Sequence, residues 1–112
     1  MNYRFTVPNR PRAKGRPRMT RRGRVYTPKS THEFERHVAA SYGKGPTFEG
    51  PVSVSIIFSK DKTKVYIKSI PESTKSSLTG DIDNYCKALL DGLNGVAWED
   101  DKIVYHLKAE KR

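Results

Sequence analysis

Residues 80–95 read GDIDNYCKALLDGLNG. Ile82, Cys86, Leu89, Leu90 and Leu93 fall at i, i+4, i+7, i+8 and i+11, a single apolar stripe at helical period. Asn94-Gly95 supplies a stop signal. The spacing predicts a helix from about Asp81 to Leu93. With the stripe turned inward, Asp83, Lys87 and Asp91 make the outward polar face. Asp81 lies at or just before the helix start, where its side chain is free to turn toward Asp83. After a turn carrying Trp98 come three more acids, Glu99, Asp100 and Asp101. Lys87 is the only base between positions 80 and 101, in a chain of net charge +10.

Upstream, NYRFTV alternates with Tyr3, Phe5 and Val7 on one face, the pattern of a strand. Ser30 with Glu33 fits a capping box opening a helix. Phe34, Val38 and Tyr42 share that helix's face, and Gly43 is its stop. VSVSIIF and VYIKSI read as two strands around the polar turn SKDKTK, PESTKSSLTG reads as a loop, and IVYHLK as a closing strand. The expected order is β-α-β-β-α-β: an α+β fold with a small, mostly antiparallel or mixed sheet and two helices. At 112 residues the chain is read as one domain, 1–112.

Charge is segregated. Residues 1–32 contain no acid, while Arg10, Arg12, Lys14, Arg16, Arg18, Arg21, Arg22 and Arg24 follow one another closely. Pro8, Pro11 and Pro17 interrupt helix and ladder alike, so about 8–25 reads as a mobile basic loop. A pI near 9.9 points to a polyanionic partner, nucleic acid first. Evenly spaced arginines and lysines suit phosphate contacts that add affinity without reading bases. Tyr26 has two readings, stacking on an unpaired base or packing where the loop meets the fold.

One cysteine, Cys86, excludes an intrachain disulfide and multi-cysteine zinc sites. His32 and His37, five apart, point to different helix faces, and His106 lies far along the chain. A reducing interior fits this usage. No apolar stretch approaches the roughly 20 residues of a membrane span, and no apolar segment follows the basic N-terminus as in a signal peptide.

The acids admit two readings. Aspartate is a favoured N-cap, first-turn acids suit the helix dipole, and Asp83 with Lys87 makes an ordinary i,i+4 pair. Alternatively the carboxylates converge. Two such charges 4 Å apart repel by about 4 kcal/mol at an effective dielectric of 20. A divalent cation neutralises them, and oxygen-only ligation selects Mg2+ or Mn2+ over zinc. Beside bound DNA such an ion activates water and stabilises charge on a phosphodiester being cut, with a lysine to help hold that charge.

Two segments, KGRPRMTRRGRVYTPKST (14–31) and GDIDNYCKALLDGLNGVAWEDDKIV (80–104), resemble the RusA-type Holliday-junction resolvases. The first is similar to that family's basic loop running into its first helix, the second to its acidic core. The resemblance implies a Mg2+-dependent homodimeric endonuclease in a bacterial or phage-infected cytoplasm. It implies that Asp81, Asp83 and Asp101 are the essential aspartates and that Lys87 assists. Asp100 neighbours the third aspartate, and which of Asp100 and Asp101 ligates directly stays open. Asp91 reads as structural. Gly80 departs from the proline or basic residue expected before Asp81. The implied activity is paired hydrolytic nicking of four-way DNA junctions, one strand per subunit. The alternatives are a non-catalytic nucleic-acid-binding protein, or a metal-dependent nuclease acting on flaps or forks.

Overall fold

A computed structural model describes residues 1–13, 18–19, 25–26 and 29–112. They form two compact units, Met1–Ile70 and Pro71–Arg112.

In the first unit, β1 (Asn2–Val7), β4 (Val52–Phe58) and β5 (Thr63–Ser69) make an antiparallel sheet in the order β1-β5-β4. A tight turn joins β4 to β5, closed by Ser59 N–H donating to Lys62 O at 2.9 Å. The central strand is the later of these two, so both β1 and β4 are sheet edges. β1 alternates as its sequence predicts: Tyr3 and Phe5 are half-buried and Val7 is fully buried. The register sets Val7 opposite Thr63 and Arg4 opposite Tyr66. At the latter pair the guanidinium stacks 4.3 Å above the ring, a cation–π contact across the ladder.

Helix α1 (Lys29–Tyr42) packs on β1. Its stripe is the expected one, with Phe34, Val38 and Tyr42 half-buried and Thr31 buried. The helix begins at Lys29, and the capping box expected of Ser30 rests on a side chain outside the described residues. Gly43 ends the helix as expected, at φ +63°, its N–H donating to Ala39 O at 3.2 Å. The helix end is locked by aromatic rings. Tyr42 meets Tyr3 and Phe5 edge-on, at centroid distances of 4.8 and 5.3 Å. Tyr3 Oη donates to Tyr42 O at 2.7 Å, and Tyr42 Oη donates to Pro46 O. Gly45 faces the Tyr3 ring so closely that a Cβ there would sit 2.6 Å from Tyr3 Cζ.

The basic segment is not wholly loop. It contains a short antiparallel ladder, β2 (Arg18–Met19) with β3 (Val25–Tyr26), pairing Arg18 with Tyr26 and Met19 with Val25. The prolines that suggested an unbroken loop all precede this ladder and leave its backbone donors intact. β4 departs from the usual half-buried pattern, since Val52, Val54, Ile56, Ile57 and Phe58 are all exposed.

The second unit opens with a 3-10 turn, Glu72–Thr74, and is built on α2 (Ile82–Leu93). Cys86, Leu90 and Leu93 of the predicted stripe are half-buried, while Ile82 and Leu89 are exposed. A further 3-10 turn covers Asp101–Ile103. The closing strand expected at IVYHLK does not form, because residues 104–112 hold no ladder partner. Alternation permits a strand, but only a neighbour's backbone stabilises one. The segment is tied down in other ways: Ser76 Oγ donates to Arg112 O at 2.8 Å and Lys111 Nζ to Gly80 O at 3.0 Å. The observed order is therefore β-β-β-α-β-β-α, still α+β with one small antiparallel sheet and two helices.

Candidate active site

Asp81 is the N-cap of α2. Its backbone is extended (φ −73°, ψ 140°), and its carbonyl accepts from Asn84 N–H at 3.1 Å and Tyr85 N–H at 3.2 Å. The backbone alone starts the helix, since the Asp81 carboxylate makes no capping bond. An aspartate at this position ordinarily satisfies an N2 or N3 amide. Here the exposed carboxylate is left uncommitted. Asp83, in the first turn, is exposed as well, and so is Lys87 one turn on. The Asp83–Lys87 ion pair that i,i+4 spacing allows does not form. Asp91 continues this face and is exposed.

The acids after the helix separate by role. Asp100 caps the second 3-10 turn, its Oδ1 accepting from Lys102 N–H at 3.0 Å. Asp101 is half-buried, and its carbonyl accepts from Val104 N–H at 2.9 Å. Its carboxylate has no hydrogen-bond or ion-pair partner among the described residues. Of the two adjacent aspartates, Asp101 therefore has the freer carboxylate. The turn that leads to them is pinned by Trp98, whose Nε1–H donates to Asn94 Oδ1 at 2.8 Å. Gly95 sits inside that turn at φ +79°, a conformation that suits glycine. Trp98 is thus a half-buried turn anchor within its own unit.

Two positioning residues carried no signal in the sequence. Gly80 N–H donates to Tyr85 Oη at 3.1 Å, and the Gly80 carbonyl accepts from Lys111. The Tyr85 ring lies so close over Gly80 that a Cβ would fall 2.8 Å from Cζ. Glycine at position 80, the visible departure in the acidic segment, is what lets this ring clamp the residue before Asp81.

Oxygen-only donors such as these fit a hard divalent cation by chemistry. Their placement does not yet form a nest. Among the described residues no three His, Cys, Asp or Glu side chains gather closely enough to hold one ion. Asp81 lies on the extended lead-in to the helix and Asp83 in its first turn, and Asp101 stands beyond the Asn94–Trp98 turn.

Of the basic residues expected to meet DNA, Arg10 and Arg12 are exposed at the exit of β1, and Arg18 lies in β2. Lys14, Arg16, Arg21, Arg22 and Arg24 lie outside the described residues. The family model for the endodeoxyribonuclease RusA matches residues 8–112, from the start of the basic segment to the end of the chain.

The chain belongs to the RusA endodeoxyribonuclease family.

The RusA match spans both units. A relative, the uncharacterized protein YqaN of Bacillus subtilis (strain 168), is 33% identical over 120 aligned positions, covering 96% of this chain and 84% of YqaN. No solved structure matches. Among the described residues no helix is long and apolar enough to cross a membrane.

Proposed function

We propose that this RusA-family chain is a Mg2+-dependent endodeoxyribonuclease, acting as a homodimer, that nicks four-way DNA junctions in recombination and repair. The observation that carries the reading is the Asp81 carboxylate. It stands at a helix start, in a RusA-family chain, and performs none of the capping that would explain it otherwise. Asp81, Asp83 and Asp101 are the residues assigned to hold the metal, with Mn2+ as the substitute ion. Asp100 is assigned to shaping the turn, because its carboxylate already caps it. When bound, the ion would supply an activated water and a counter-charge for the phosphodiester.

The remaining work falls to the chain itself. Lys87, exposed and unpaired among the described residues and one turn past Asp83, is assigned to hold a phosphate oxygen. The Tyr85 and Lys111 bonds to Gly80 orient the backbone that presents Asp81. The arginine-rich segment supplies salt-sensitive affinity for the backbone of branched DNA. Homodimerisation is supported by the exposed apolar strand β4 at a sheet edge, since an uncovered apolar edge of this kind invites a partner chain.

A labelled four-way junction and a linear duplex of the same arms, each in Mg2+ and in EDTA, test the reading. Wild type is expected to nick the junction symmetrically, and Asp83→Asn to bind it without nicking. Tight binding with no cleavage in Mg2+ or Mn2+ would leave a non-catalytic binding protein. Equal cutting of flaps or forks would remove the junction assignment.

A further inference from the structure

Where the chain leaves β1, a small open cleft separates the exit segment from α1. Asn9, Arg10 and Arg12 line one side, and Glu33, Phe34 and His37 line the other. All six belong to the first unit. Two guanidiniums bring ten N–H donors, and the Asn9 amide and His37 imidazole add more. Phe34 is half-buried and adds a single apolar plane. Glu33 is the only carboxylate in the lining. Its ion-pair partner is Lys29, one turn back on the same helix at 3.9 Å.

Neither Arg10 nor Arg12 has an ion pair among the described residues. The cleft is thus a donor cluster whose one carboxylate makes no ion pair with the arginines. At about 170 Å3 it is below the size of pockets that enclose whole drug-sized molecules. It suits a piece of something larger: one tetrahedral anion with a flat or apolar group attached. Paired arginines are the usual receptors for phosphate oxygens.

We propose that this cleft is a nucleotide subsite for a strand of nucleic acid. Arg10 and Arg12 hold one phosphodiester, His37 and Asn9 donate to its neighbouring oxygens, and Phe34 packs against the adjoining sugar or base. Glu33 stands at the edge as a repulsive charge that weakens the hold. The inference rests on the proposed function only in taking that strand to be DNA. It deepens that reading by adding α1 residues, which no phosphate clamp confined to the basic segment would contain.

The test uses the full chain, fluorescein-labelled junction DNA and single strands, anisotropy readout, and EDTA to prevent cutting. His37→Ala and Phe34→Leu are expected to weaken binding about fivefold or more. Arg12→Gln should also lower the slope of log K against log salt by about 0.9, one phosphate contact. Glu33→Gln should tighten binding severalfold, a gain that misfolding cannot mimic. Arg36→Gln, an exposed helix residue outside the cleft, should change affinity less than twofold.

A second arm follows the Phe34 ring by NMR during titration with a thymidine dinucleotide or with inorganic phosphate. A larger shift with the dinucleotide supports the subsite. Equal shifts at equal concentration would make the cleft a plain anion site and overturn the nucleotide assignment. Affinity unmoved by His37→Ala and Glu33→Gln would overturn the proposal while leaving the nuclease reading intact. A wild type that responds to the cleft variants but never cuts would remove the nuclease reading and leave the subsite standing.

Discussion

Gly80→Ala is the substitution that most directly probes how Asp81 is presented. Gly80 has no positive φ, so alanine meets no backbone strain there. What it meets is Tyr85, with Cζ and Oη 2.8 Å and Cε2 2.9 Å from the new Cβ. The ring must withdraw by roughly 0.7 Å to restore a carbon–carbon contact of about 3.5 Å. That stretches the 3.1 Å bond from Gly80 N–H to Tyr85 Oη beyond hydrogen-bonding range. The bond is exposed, so water replaces it, and its loss costs about 0.5–1 kcal/mol. Against this, replacing glycine stiffens the unfolded chain and returns about 0.4–1 kcal/mol. The two effects nearly cancel, so the urea midpoint should move little.

Catalysis has no such compensation. Losing that bond frees the backbone of the residue before Asp81, and a shift of the carboxylate approaching 1 Å costs up to about a hundredfold in rate. Gly80→Ala should therefore slow junction nicking by at least tenfold at nearly unchanged stability. In a Tyr85→Ala background the obstacle is gone, and the same substitution should leave the nicking rate within about twofold. Single-turnover nicking of wild type and the three variants in this cycle decides the matter. An equal loss from Gly80→Ala with and without Tyr85 would refute the clamp.

Three further outcomes are expected. Thr63 is 3% exposed, and its hydroxyl has no hydrogen-bond partner among the described residues, so Thr63→Val should raise stability by about 1 kcal/mol in urea unfolding. Gly45→Ala should lower it by about 1–3 kcal/mol, because Tyr3 is held by Tyr42 and has little room to retreat from the new Cβ. Trp98, the only tryptophan, should report Mg2+ binding at the nearby acids. Its fluorescence should shift with Mg2+ in wild type and not in Asp101→Asn, while Asp100→Asn should keep the response, and the reverse pattern would exchange the roles of the two aspartates.

Elements whose signal is local were legible in the sequence. The stripe from Ile82 to Leu93 defined α2, Phe34, Val38 and Tyr42 with the Gly43 stop defined α1, and Tyr3, Phe5 and Val7 defined the inner face of β1. Each needs only the periodicity of its own backbone, because a helix or strand face repeats whatever it later packs against. The grouping of Asp81, Asp83, Lys87 and Asp101 as candidates came from the resemblance to the RusA family, since spacing and charge alone fit helix capping and an ordinary i,i+4 pair as well.

Tertiary structure decided what depends on a partner distant in sequence. IVYHLK alternates as a strand should, yet no strand among the described residues pairs with it, and Lys111 and Arg112 beyond it are held instead by Gly80 and Ser76. The Arg18–Met19 ladder exists because Val25–Tyr26 returns beside it, which proline and charge counts cannot show. Spacing left open whether Asp81 caps its helix and whether Asp100 or Asp101 is the freer acid. Both were settled by which carboxylate accepts a backbone N–H. The meaning of Gly80 came last of all. Its lack of a side chain is a property of the sequence, but the ring that requires it is brought there by the first turn of α2.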